Sequence, residues 1–158
     1  AFAERDREAE LKKVVDTHGD TAAALWARQS LADMSLSKGA NLQFSDRSEA
    51  DTQLKTAKEN YEEVLKNARD PLLLVRAQYG MARLQETNCQ PEEALKYYEL
   101  VAKSEKDSAL GKAAQRDASG FAVCAPVATP AGRAVAHCRV FSARHGADGP
   151  AAAGGQGA

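Results

Sequence analysis

At 158 residues, with four Tyr, four Phe and one Trp, the chain has material for one domain with a modest core. A net charge of −1 excludes the strongly basic footprint of a nucleic-acid or membrane-surface binder. It contains no run of about 18 apolar residues, which excludes a bilayer-spanning helix within these residues.

Residues 2–17 read as a first helix with Phe2, Leu11, Val14 and Val15 as apolar contacts. His18–Gly19 closes it, because Gly accepts the left-handed conformation in which helices stop. Asp20 or Thr21 caps a second helix that Leu25, Leu31, Met34 and its alanines carry to Lys38, with Gly39 as the stop. Residues 40–45 read as a loop. Asp46-Arg47-Ser48-Glu49 has capping-box form, in which Asp46 accepts from the Glu49 amide and Glu49 reaches back to the Asp46 amide. A third helix, about residues 47–68, places Ala50, Leu54, Ala57, Tyr61, Val64, Leu65 and Ala68 on one face.

Asp70 caps and Pro71 opens a fourth helix that runs to about Glu86 on Leu73, Ala77, Gly80, Met81 and Leu84. Gly weakens a helix interior, so Gly80 marks close approach by a neighbour. After a turn at residues 87–90, Pro91 opens a fifth helix with Ala94, Leu95, Tyr98, Val101 and Ala102 as its buried stripe. The sixth starts at Asp107–Ser108 and holds to about Asp117.

One pattern occurs three times without gaps, at residues 11–32, 61–82 and 98–118. Leu11/Tyr61/Tyr98, Val14/Val64/Val101, Asp20/Asp70/Asp107 and Ala27/Ala77/Ala114 match, and Leu31–Ala32 extends the pairing with Met81–Ala82. Each copy reads as a helix end, a capped turn and the start of the next helix. Such self-similarity predicts an all-α, right-handed solenoid of antiparallel helical hairpins with six helices. Residues 1–118 form the repeat domain. Residues 119–158 contain no Lys or Glu, and hold seven of the eleven glycines and three of the five prolines. They read as a low-complexity, disordered tail, or as the product of a shifted reading frame.

The string AQYGMARLQETNCQPEEALKYYELVAK at residues 77–103 resembles a tetratricopeptide repeat, with Ala82, Ala94 and Tyr98 at its small and aromatic positions. Gln78 replaces the usual Trp and Cys89 the turn Gly. Over residues 9–118, ALWARQSLADMSLSKGANLQFSDRSEA and AKENYEEVLKNARDPLLLVRAQYGMARL are similar to envelope-associated bacterial repeat proteins of the planctomycete type, akin to the ancillary subunit of the Sec translocon. The resemblance implies a membrane anchor upstream of Ala1, a repeat domain on the extracytoplasmic side of a bacterial inner membrane, and a sixth helix that continues through Ala118–Ser119.

Stacked hairpins hold peptides or partner helices on the wall formed by their first helices. Outward positions there are Gln29 and Asp33, then Arg76, Tyr79 and Arg83, then Lys112 and Arg116. Arg76, Tyr79 and Arg83 share one side of the fourth helix, and two guanidinium groups flanking a phenol could grip a carboxylate-bearing segment. The spacing from Ala32 to Ala57 exceeds that from Ala82 to Ala94, and the insertion, carrying Leu42 and Phe44, is a second candidate surface. Trp26 matches Arg76 and Ala113, so it lies off the repeat core and is expected to cover the join with the first helix.

No catalytic set assembles from these residues. His18 stands alone in a turn, and Glu62–Glu63 and Glu92–Glu93 point to different sides of their helices. Cys89, Cys124 and Cys138 make an odd count without a disulfide framework, and Cys124, His137, Cys138 and His145 match no common zinc-finger spacing. The sequence therefore predicts a non-catalytic protein-interaction scaffold without metal or cofactor, its partner a protein or peptide. The rival is a self-associating module completed by another copy of itself.

Overall fold

The computed structural model describes residues 2–19 and 21–122, with side chains at 5–19 and 21–120. Six α-helices and no strand occur among them: α1 Phe2–His18, α2 Ala22–Leu42, α3 Arg47–Asn67, α4 Pro71–Thr87, α5 Pro91–Ser104 and α6 Ala109–Ala122. Each packs on its neighbours in the chain, and α2 also touches α4. The expectations for Phe2, Asp20 and residues 123–158, with Cys124, His137, Cys138 and His145, lie outside the described side chains.

The helix boundaries follow local chemistry. Gly19 sits at φ 50° and its amide donates to Val15 O at 3.0 Å, which closes α1 in a left-handed turn. Thr21 caps α2, its hydroxyl accepting from the Ala24 amide at 3.3 Å. Asp70 accepts from the Leu72 amide at 3.0 Å, with Pro71 next to it. At the end of α4, the Cys89 amide donates to Glu86 O and the Gln90 amide to Gln85 O, at 3.0 and 2.8 Å. This pair of bonds is a Schellman motif, with Cys89 at φ 56° in the place glycine prefers. Ser108 opens α6 by accepting from the Gly111 amide at 3.0 Å.

Three sequence expectations need correction. Gly39 does not stop α2; it lies buried inside that helix, where a Cβ would stand 2.7 Å from Leu54 Cγ. Its role is close packing against α3, so the expected loop at residues 40–45 shrinks to a short turn after Leu42. The insertion lengthens the hairpin itself: α2 and α3 each have 21 residues, whereas α4 has 17 and α5 has 14. The capping box is only half formed. Asp46 accepts from the Glu49 amide at 3.0 Å, but the Asp46 amide donates to Leu42 O and the Glu49 carboxylate accepts from Gln53. Finally, α6 runs on through Ala122, past Asp117.

The repeat-matched positions form the core. Tyr61 and Tyr98, Val64 and Val101, Ala77 and Ala114, and Ala32 and Ala82 are all buried. In the first copy Leu11 and Val14 are half-buried. One cluster joins α2, α3 and α4 through Leu36, Leu54, Tyr61, Val64, Leu73 and Met81. A second joins α4, α5 and α6 through Val75, Ala82, Ala94, Tyr98, Val101 and Ala114. Burying a Val or Leu side chain contributes about 1.5–3 kcal/mol. An exposed ion pair contributes about 0–1 kcal/mol. The repeat positions therefore dominate stability over the surface lysine–glutamate pairs.

Candidate functional site

Charge is distributed unevenly among the helices. Every ion pair among the described residues has its acid on α1, α3 or α5: Glu8, Glu59, Glu62, Glu63, Glu93 or Glu99. Apart from Lys38 of α2, the lysine comes from the same helix, usually one turn away. The bonds from Lys12 and Lys38 hold the Glu8 carboxyl below its ordinary range. These helices largely neutralise themselves.

Helices α2, α4 and α6 do not. Each carries one acid and two cations: Asp33 with Arg28 and Lys38, Glu86 with Arg76 and Arg83, Asp117 with Lys112 and Arg116. Each acid accepts a hydrogen bond from a tyrosine hydroxyl. Tyr61 donates to Asp33 at 2.6 Å, Tyr98 to Glu86 at 2.8 Å and Tyr79 to Asp117 at 2.8 Å. Burial is the main force pushing these phenols well above their ordinary pKa, and the carboxylate beside each pushes further. All three are therefore neutral donors near neutral pH.

The acids are thus engaged by phenols while cations stay open. Arg76, Arg83, Lys112 and Arg116 are exposed, and none makes an ion pair among the described residues. The charges of Arg83 and Arg76 both act on the Tyr61 hydroxyl, and that of Arg83 also acts on Tyr79. Tyr79 is half-buried, packed edge-on against Tyr98 with ring centroids 5.6 Å apart at 67°. The guanidinium of Arg76 lies over the Trp26 ring, 5.5 Å from its centroid.

The structure brings Asp33, Arg76, Tyr79 and Arg83 into one electrostatic neighbourhood, with Asp117 joined through Tyr79. Lys112 and Arg116 lie one turn apart on α6. Gln29 is the exception. Expected to face outward, it is only 2 % exposed, its amide nitrogen donating to Asp33 at 3.2 Å while Oε1 has no donor among the described residues. The i,i+4 bond to Asp33, itself tied to buried Tyr61, holds Gln29 along its own helix. Leu42 ends α2 half-buried, whereas Phe44 beyond it is 78 % exposed. Gln43 between them donates to Thr87 O at 2.8 Å and pins the tip to the end of α4.

Trp26 is half-buried and lines an open cleft of about 420 Å³ with Leu25, Ala68, Arg69, Asp70 and Leu73, and Arg76 lies over its ring. The network residues Glu86 and Asp117 were not singled out from sequence. Each is the one acid of an otherwise basic helix, and that asymmetry is the signal that could have found them.

The chain matches no family model, no curated protein and no solved structure.

Proposed function

We propose that the chain is a tetratricopeptide-like, right-handed solenoid of antiparallel hairpins, working as a non-catalytic scaffold for a protein or peptide partner. Its setting is the extracytoplasmic side of a bacterial envelope, following the sequence resemblance. One observation carries the reading: residues matched between the second and third copies, Val64 with Val101 and Ala77 with Ala114, are buried alike, and Ala27 of the first copy is buried with its matches. Repeats that bury a shared core by stacking leave their first helices free to receive another molecule. In this chain those helices are α2, α4 and α6, which hold the open cations Arg76, Arg83, Lys112 and Arg116.

A photo-crosslinking side chain placed at exposed position 72, one turn before Arg76 on the same side of α4, and separately at position 58 on the self-neutralised α3, tests the scaffold reading in envelope preparations. Adducts with another protein at 72 and few at 58 are the expected result. Equal labelling at both positions would contradict a partner face on α4. Adducts only with a second copy of the chain would favour self-association.

A further inference from the structure

We propose that the side of α4 carrying Arg76, Tyr79 and Arg83 receives an extended protein segment with two carboxylates three residues apart. The proposal rests on the scaffold reading above and names the chemistry of the partner.

Three observations carry it. First, the positive charge is uncompensated. Glu86 and Asp117 accept from tyrosine hydroxyls, and Asp33 does the same on α2, while Arg76 and Arg83 have no ion pair among the described residues. Helices α4 and α6 each keep one net positive charge, whereas Lys38 of α2 is paired with Glu8 of α1, and Lys112 and Arg116 add to the field from α6. An acidic segment is therefore attracted to this side in preference to α3 or α5, whose lysines already hold glutamates.

Second, the groups are pre-positioned. Arg76 lies over the Trp26 ring, and Asp117 together with the Tyr98 ring fixes Tyr79, which stands between the two arginines along α4. Groups held before the partner arrives lose less freedom on binding than mobile ones. With its hydrogen donated to Asp117, the Tyr79 oxygen keeps a lone pair that can accept a backbone N–H.

Third, the spacing fits. Arg76 and Arg83 are separated by a helical rise of about 10 Å. Three residues of chain in the polyproline II conformation, with three residues per turn and a rise of about 3.1 Å each, cover about 9 Å and bring the side chain back to the same side. Two acidic side chains in that register each meet one guanidinium, whose planar fork takes a carboxylate through two N–H bonds.

Dye-labelled synthetic peptides, titrated with the full chain and followed by fluorescence anisotropy, test this. One peptide has two glutamates three residues apart in a Gly/Ser background, a second has glutamines there, and a third has the glutamates adjacent. The spaced glutamate peptide is expected to bind at least about tenfold more tightly than the others, and Arg76→Glu or Arg83→Glu to remove that preference. Lys58→Glu on α3 should leave it unchanged, with circular dichroism confirming that each variant keeps its helices. Equal binding of all three peptides, indifference to reversal at Arg76 and Arg83, or equal competition by a single-stranded polynucleotide would each overturn the proposal. Crosslinks at position 72 without any peptide preference would overturn the acidic docking and leave the scaffold standing. Peptide preference without crosslinks at 72 would support the docking chemistry and count against the scaffold reading.

Discussion

The ring of Tyr61, from α3, occupies the space in which a side chain at Gly80 of α4 would stand, and a Cβ there would lie 2.8 Å from the Tyr61 hydroxyl oxygen. Alanine in a helix interior is worth about 1 kcal/mol over glycine. Overpacking a core costs about 1–3 kcal/mol. Because Tyr61 is fully buried and tied to Asp33, it cannot swing aside. Gly80→Ala is therefore expected to destabilise, read as a lower urea midpoint, and to become neutral or stabilising in a Tyr61→Leu background. Gly120→Ala, with nothing within 4 Å, is the control and should stabilise.

Each tyrosine–carboxylate bond joins two helices, so Tyr61→Phe, Tyr79→Phe and Tyr98→Phe should each cost about 1–2 kcal/mol. The pH dependence has a definite sign. Folding raises the pKa of all three phenols, so the folded chain keeps protons that the unfolded chain releases above its ordinary tyrosine pKa of about 10. The stabilisation is complete below that pH and is lost as pH rises beyond it. Thermal melts from neutral to strongly alkaline pH should show Tm falling above about pH 10, less steeply in each Phe variant.

The half-formed capping box separates two residues that sequence reading treats as a pair. Asp46→Ala should cost about 1 kcal/mol, because it removes the acceptor for the Glu49 amide. Glu49→Ala should change the urea midpoint little, since among the described residues its carboxylate reaches only Gln53, one turn on, through a solvent-exposed bond. Equal losses would mean that the reciprocal bond forms in solution.

Cys89 adopts a left-handed backbone that carries a steric cost for every residue with a Cβ. Cys89→Gly should raise stability by up to about 1 kcal/mol, and Cys89→Val should lower it. Differential scanning calorimetry on the two variants checks the sign, and an unchanged Tm for both would argue against the Schellman closure.

Much of the fold was legible because burial follows the repeat. Tyr61, Val64, Ala77 and Met81 could be placed in the core by matching them to Tyr98, Val101, Ala114 and Leu31. Gly39 was misread because a glycine that ends a helix and one that admits a neighbour look alike until Leu54 is seen against it. The candidate site was legible in its cations and not in its acids. Arg76, Tyr79 and Arg83 stand at helical spacing, so one segment reveals them. The tyrosine bonds to Asp33, Glu86 and Asp117 span 28, 12 and 38 residues with no shared offset. Gln29 stands at the repeat position of half-buried Tyr79 and exposed Arg116, yet it is buried, its amide lying along its own helix against Asp33.

Helix α4 gives Leu73, Ala77, Met81 and Leu84 to one hydrophobic cluster, and Val75 and Ala82 to the other. When either cluster opens, the other still covers part of this helix, so its backbone amides meet solvent freely only when both open together. Deuterium should therefore enter α4 more slowly than any other described segment, at a rate set by global unfolding. Helix α1, packed on α2 alone among the principal contacts, should exchange through local fraying that leaves the arginine-bearing side of α4 intact.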